Sequence, residues 1–388
     1  MIRCRRSVVH LGAALSALLY VPGLGPIAAQ SPAQDTLVRT PTLAPRTPLP
    51  SEAATAKVSR FSFIAYGDTR GRHDGSDLQA EHMLVVESML ATIEKSAAAG
   101  DSIRFVLQSG DAVQNGAIAR QLTVSHIPLV NRLTRDGGVP YLSAVGNHDV
   151  GPSTDLRNPR RLDGLHNFLA ANANLIPREG SPRRLTGYPT YAFGYGNTFF
   201  IALDSNIPDD PVQLAWLEAQ LAGLDRARYV NVAVFFHHPP FSSGPHGGAR
   251  IEPQAASIRA KWLPIFRQYH VRLYFAGHEH LYEHWVERYA DATGPHRIDE
   301  IVSGGGGAPL YAFTGEPDLR DYLKSAGDQP LTLEHVARPS IEPGGNPFHY
   351  VVVHVDGSSI SLEVIGVDWG QGFAPYRTRV MSLSAERP

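Results

Sequence analysis

The sequence predicts an α/β domain with a large mixed sheet system. Three observations carry that reading: β-prone apolar runs alternate with helically spaced ones from residue 60 to about 275, the last stretch is rich in strands, and no repeat of fixed period is visible. Phe61 to Tyr66 is a β-prone run that ends at Gly67-Asp68. Leu78 to Ala99 follows, with Met83, Val86, Leu90 and Ile93 at helical spacing. The next strand, Arg104 to Gln108, ends at Gly110-Asp111. A helical stretch around Leu122 to Leu133 then leads to a strand from Pro140 to Val145, which stops at Gly146-Asn147-His148-Asp149. Tyr191 to Phe193 and Thr198 to Leu203 read as a hairpin across Gly194 to Asn197. Val212 to Leu224 is an amphipathic helix with Leu214, Leu217 and Leu221 inward. Strand Asn231 to Phe236 ends at His237-His238. Helix Ala255 to Tyr269 precedes strand Val271 to Phe275, which runs into Gly277-His278-Glu279-His280. Ile298 to Val302, His349 to Val355 and Ser359 to Ile365 complete the strands.

Composition narrows the function. At 388 residues, 43% hydrophobic and 19% charged, the chain is globular and long enough for one large domain or two ordinary ones. A formal charge of -2 supplies no basic excess to displace counterions from phosphates, so nucleic-acid binding is not expected. With 17 His and a single Cys, a metal site must be built from imidazole, carboxylate and amide oxygen, and a disulfide framework is excluded.

Residues 1–29 begin with Arg3, Arg5 and Arg6, continue with an apolar run from Leu11 to Leu24 and finish in small residues, the pattern of a secretory signal peptide. The Arg5-Arg6 pair also fits twin-arginine export. Residues 30–58, rich in Pro, Thr and Ala, read as an extended linker, and residues 59–388 as the catalytic domain. A secreted or periplasmic protein is expected, with no membrane span once the signal is removed. The apolar run is shorter than the roughly 20 residues that a spanning helix needs.

The polar clusters point to chemistry. Five apolar strands end at once in a Gly-Asp, Asn-His or His-containing turn, and the carboxyl edge of the strands is where α/β sheets build their sites. Asp68, Asp111, Asn147, His237, His278 and His280 together offer two carboxylates, one amide and three imidazoles, a set suited to Zn, Mn or Fe. Six ligands exceed one tetrahedral ion. They suit two ions about 3.5–4 Å apart sharing a carboxylate, an arrangement that polarises a phosphoryl oxygen and supplies a hydroxide nucleophile near neutral pH.

The ordered blocks Gly67-Asp68, Gly110-Asp111, Gly146-Asn147-His148-Asp149, His237-His238-Pro239-Pro240 and Gly277-His278-Glu279-His280 resemble the calcineurin-like metallophosphoesterase superfamily, which includes the purple acid phosphatases. The resemblance covers roughly residues 60 to 310. It implies a four-layer sandwich of two mixed β-sheets flanked by helices, and metal-dependent hydrolysis of phosphate esters, phosphomonoesters first. Phosphodiesters or nucleotides are the alternative substrates. By motif, Asp68 and His280 would hold the first ion, Asn147, His237 and His278 the second, and Asp111 would bridge. His148 would face the substrate as a proton donor or oxyanion stabiliser, oriented by Asp149.

The first block departs from the family. Most members carry His two residues after the first Asp, but here the order is Asp68-Thr69-Arg70, and Arg cannot deprotonate to bind a metal. The Tyr used by purple acid phosphatases is Gln114. His82 is the expected replacement ligand, with His73, Gln114 or solvent as alternatives. A guanidinium beside two divalent ions is repelled unless an anion intervenes, so Arg70 is expected to clamp the substrate phosphate. Should the missing ligand abolish turnover, the chain would be a non-catalytic module that binds a phosphate-bearing ligand at the cell surface.

Overall fold

The computed structural model describes residues 39–151, 153–247, 251–325, 331–342, 344–367 and 381–382; the expected signal peptide lies outside them. The strands are β1 (Arg60–Tyr66), β2 (Ile103–Gln108), β3 (Tyr141–Ser143), β4 (Tyr191–Tyr195), β5 (Thr198–Ala202), β6 (Asn231–Phe235) and β7 (Leu273–Ala276). They continue with β8 (Tyr282–Asp291), β9 (Gly294–Ser303), β10 (Thr332–Ala337), β11 (Phe348–Asp356), β12 (Ser359–Val367) and β13 (Met381–Ser382). One sheet has the order β13-β12-β11-β1-β2-β3 and the other β10-β8-β9-β7-β6-β5-β4. Both are mixed. β1, β2 and β3 are parallel neighbours, as are β5, β6, β7 and β9, while β1 with β11 and β8 with β9 pair antiparallel.

The period-2 geometry of strands explains why these runs are apolar throughout. In β1, Phe61, Phe63 and Ala65 enter the layer between the sheets, and Ile64 and Tyr66 face helix Ala80–Ala98. In β6, Ala233 and Phe235 point to the same central layer, and Val232, Val234 and the next residue after the strand, Phe236, to the layer under helices Pro211–Ala222 and Pro253–Gln268. Phe63 joins the sheets, its ring 5.3 Å from Phe200 and 5.8 Å from Phe275, both edge-on. Helix, sheet, sheet and helix are therefore stacked as expected.

The linker needs correction. Residues 39–58 form no helix or strand, but Leu43 is fully buried, its N–H donating to Ala171 O at 2.8 Å, and Glu52 pairs with Arg183 at 2.9 Å. This half of the proposed tether is packed onto the domain. Pro/Thr composition masked it because the buried Leu43, backbone hydrogen bonds and isolated polar pairs such as Glu52 with Arg183 hold it in place of periodic apolar residues. Among the described residues, no helix is long and apolar enough to cross a membrane.

Candidate metal centre

The C-terminal ends of β1, β2 and β3 in one sheet and of β6 and β7 in the other deliver all five polar blocks to one edge. To aim side chains back across that edge the chain must turn sharply, and it does so at the candidate ligands themselves. Asp68, Asp111 and His278 have φ of 61°, 57° and 68°, a region that non-glycine residues rarely enter and that Asp and His tolerate better than most. Hydrogen bonds hold the turns: Asp68 N–H to Gly110 O and Thr69 N–H to Asp111 O, both at 3.0 Å, and His278 N–H to Asp68 Oδ2 at 2.8 Å. Gly146 is required, since a Cβ there would lie 2.1 Å from Asp111 Oδ1.

Four donors converge at one position. His237 Nε2 lies 3.0 Å from Asn147 Oδ1, 3.3 Å from His278 Nδ1 and 3.3 Å from Asp111 Oδ1. Ligands held about 2.0–2.2 Å from a tetrahedral ion sit roughly 3.3 Å apart, so each of the three lies at ligand spacing from His237 Nε2, and donor atoms of Asp68, Asp111 and His237 all lie within 4.8 Å of one another. His237 Nδ1 donates to Ser109 O at 3.1 Å, which leaves Nε2 to face the cluster. Burial lowers the His237 pKa, but the Asp111 and Asp68 carboxylates outweigh it and carry it up to about 9. That surplus proton is what a bound cation would displace.

At the other position, Asp68 Oδ1 lies 3.4 Å from His280 Nε2 and is buried without a hydrogen-bond donor. A buried carboxylate oxygen without a partner is costly, and a cation would relieve it. His280 Nδ1 donates to Pro309 O at 2.6 Å, so Nε2 presents a lone pair. Arg70, only 6% exposed, reaches into this group, with Nε 3.4 Å from Asp111 Oδ2, Nη2 3.4 Å from His280 Nε2 and Nη1 2.7 Å from His73 Nε2. Asp111 is held well below the usual carboxylate range because His237, His148 and Arg70 overcome the opposing effect of burial. The donor set fits metal at both positions, with Arg70 crowding the first.

Two expectations fail. His82 is not at the centre: its Nε2 is 3.0 Å from Tyr66 Oη, its Nδ1 is 2.9 Å from Gln79 Oε1, and its ring packs against His126 in the layer behind β1. Both ring nitrogens are thus engaged, and the start of helix Ala80–Ala98 points the ring beneath β1, away from the strand end. Asp149 does not orient His148. Its carboxylate accepts the backbone N–H groups of Asp111 and Gly146 at 2.8 Å and of Ala112 at 2.9 Å, bracing the two turns. His148 is held by its own Nδ1, which donates to Gln114 O at 2.8 Å and leaves Nε2 4.0 Å from Asp111 Oδ2.

Comparison with known proteins decides the family. Residues 76–282, more than half of the chain, match the calcineurin-like phosphoesterase family. The chain belongs to that family. The match spans Asp111, Asn147, His237, His278 and His280, while Asp68 and Arg70 precede it. Among relatives, an uncharacterized protein of Mycobacterium tuberculosis is 31% identical over 164 residues, covering 37% of this chain and 27% of its own length. Purple acid phosphatase 23 of Arabidopsis thaliana is 26% identical over 171 residues, covering 44% of this chain and 34% of its own. The chain thus spans about a third or less of these relatives. A purple acid phosphatase from yellow lupin (Lupinus luteus) seeds superposes with a TM-score of 0.56 at 17% identity over 83% of this chain and 55% of the lupin chain, which shows the shared fold.

Around this phosphoesterase centre stand residues that the motifs did not reveal. Glu252 Oε2 accepts from His278 Nε2 at 2.9 Å and Glu252 Oε1 faces His246 Nδ1 at 3.0 Å, fixing the tautomer that turns His278 Nδ1 toward the cluster. The His246 and His278 rings are 4.5 Å apart. Tyr311 stacks on His280 with ring centroids 4.1 Å apart and planes at 17°. Glu252 comes from the start of a distant helix, immediately before Pro253, where an acid reads as ordinary helix-start chemistry. No spacing rule could have found it. In the glycine-containing loop from Phe241 to Ile251, which would rim the site, residues 248–250 lie outside the described set. His238 packs against His278 at 4.5 Å and bonds Ser205 Oγ through Nδ1 at 2.9 Å, a supporting place behind the donors.

Glu252→Gln is expected to weaken metal binding by about 10–100-fold, the usual cost of losing a partner that orients a ligating His. Competition with a chelator measures this; unchanged metal retention would show that His278 is oriented by its packing alone.

Proposed function

We propose that this phosphoesterase hydrolyses phosphate monoesters at a binuclear metal centre, outside the cytosol after removal of an N-terminal leader. The reading rests on one observation above all: Asp111, Asn147, His237 and His278 converge at ligand spacing beside Arg70, His73 and His148. Asp68 and His280 would hold one ion, Asn147, His237 and His278 the other, and Asp111 both. When bound, Zn, Mn or Fe would polarise the phosphoryl oxygen and lower the pKa of the attacking water.

The chain's own groups do the rest. Arg70 offers guanidinium N–H groups to the phosphoryl oxygens, as a charge-assisted clamp. His73 Nε2 accepts from Arg70 Nη1 at 2.7 Å, and burial together with the Arg70 charge lowers its pKa; its ring centroid is 5.8 Å from that of His148, so Arg70 and His148 are the two potential cations on this side of the site. A monoester presents three non-bridging oxygens to them and a diester only two, which favours the monoester. Water forms the new P–O bond as the ester P–O bond breaks. His148 then gives the Nε2 proton to the departing alkoxide, yielding alcohol and phosphate. Burial lowers the pKa of His148, against the pull of Asp111, so an anionic ester beside it is needed to hold that proton.

His148→Asn is expected to lower kcat by about 10²- to 10⁴-fold for alkyl phosphates, whose leaving groups need the proton, and by much less for nitrophenyl phosphate. Equal losses on both would remove His148 from the role of acid. The broader test compares a chromogenic monoester with its diester on protein loaded in turn with Mn, Zn and Fe. Metal-dependent cleavage of the monoester supports the proposal, preference for the diester transfers the reading to diester or nucleotide substrates, and absence of turnover leaves a ligand-binding module.

A further inference from the structure

The two metal positions have unequal surroundings. The second is ringed by Asp111 Oδ1, Asn147 Oδ1, His237 Nε2 and His278 Nδ1, and among the described residues no guanidinium bonds to the last three. The first offers Asp68 Oδ1, Asp111 Oδ2 and His280 Nε2, and two of these three lie 3.4 Å from Arg70 nitrogens. Arg70 stands where most of the family places a neutral His ligand, so this position lacks one donor and gains one positive charge. The guanidinium cannot shed its proton, and its burial removes the water that would screen it from an ion. Its Nη1 also meets His73 Nε2 at 2.7 Å.

We propose that the second position is filled by the protein alone, whereas the first fills only together with a phosphate oxyanion that lies between the ion and Arg70. The inference rests on the metallophosphoesterase reading above and adds an order of assembly to it. The oxyanion supplies both missing elements. One oxygen takes the vacant place at the ion, and the others accept from the Arg70 N–H groups, turning a repulsion between two cations into a bridge. Linkage then requires reciprocity: whatever factor phosphate adds to the affinity of the first ion, that ion adds to the affinity of phosphate. Restoring His at position 70 removes the charge and returns the donor, so the dependence on phosphate disappears.

Equilibrium dialysis of the mature chain against micromolar Mn²⁺, with and without inorganic phosphate, tests this directly by metal content, and electron paramagnetic resonance reports whether two Mn²⁺ ions are spin-coupled. The expected result is one Mn²⁺ per chain without phosphate and a coupled pair with it, the first-position affinity rising at least tenfold. Arg70→His, checked for native circular dichroism, should hold the coupled pair in either condition. The wild-type comparison is decisive even if that variant does not fold. Two ions per wild-type chain regardless of phosphate, or one ion per chain even with phosphate, overturns the proposal and leaves the phosphoesterase reading in place. No bound Mn²⁺ under any condition overturns both.

Discussion

Asp111→Asn is expected to abolish metal-dependent turnover, with kcat reduced by about 10³-fold or more, while the protein remains folded. Asp111 reaches both halves of the centre, with Oδ1 3.3 Å from His237 Nε2 and Oδ2 3.4 Å from Arg70 Nε. Asn keeps the shape and can keep the backbone contact, since Asp111 Oδ1 accepts the His148 N–H at 2.9 Å and an amide oxygen can do the same. Asn is also among the few residues that tolerate φ near 57°. What disappears is the negative charge, and with it the bridge. Loss of several kcal/mol of transition-state stabilisation corresponds to three or more decades in rate. Metal content and monoester turnover, measured together on natively folded protein, check it. Undiminished turnover would remove Asp111 from the reaction.

The second large effect concerns stability. Asp149→Ala is expected to destabilise the domain by several kcal/mol, because four buried N–H groups, those of Asp111, Ala112, Val113 and Gly146, lose their acceptor at once. Each buried donor left without a partner costs about 1–3 kcal/mol. Asp149 is 3% exposed, so water cannot readily take its place. Urea unfolding gives the measure. A loss below about 1 kcal/mol would mean that the turns are held by their own sheet contacts. Metal binding should fall with stability here, since the same turn carries Asp111, and Asp149→Asn, which retains one acceptor oxygen, should lie between Ala and the native protein.

Much of this architecture could be read before any coordinates. The apolar strand runs and the turns that end them locate Asp68, Asp111, Asn147, His237, His278 and His280, because strand ends in a buried sheet leave polar residues only one edge to occupy. Other parts could not be read. β8 was missed since Tyr282–Asp291 carries Glu283, His284 and Glu287, which look solvent-facing, yet Glu283 and His284 are at most 1% exposed. Their partners are remote: Ser243 N–H donates to Glu283 at 2.9 Å, and His284 pairs with Asp299 at 2.7 Å. Burial of polar groups by long-range pairing has no local period. His82 misled for the opposite reason, a residue of ligand type near the right strand whose direction depends on which face of a helix packs down. Asp149 was placed in the right neighbourhood and given the wrong partner, since a capping carboxylate and a histidine-orienting one look alike in sequence.

The position of β1 also sets when the sheet around it closes. β1 lies between β2 and β11, and its register with β11 joins Arg60 to Asp356 and Ala65 to Val351, partners nearly three hundred positions apart in the chain. During synthesis the strand that carries Asp68 therefore waits with one edge unpaired until almost the entire polypeptide has emerged. Pairings of such long sequence separation form late, after local helices and hairpins. The turns of Asp68 and Asp111 are tied to each other and to Asp149 within residues 68–149, so the donors can be set in place while the other edge of their strand is still open.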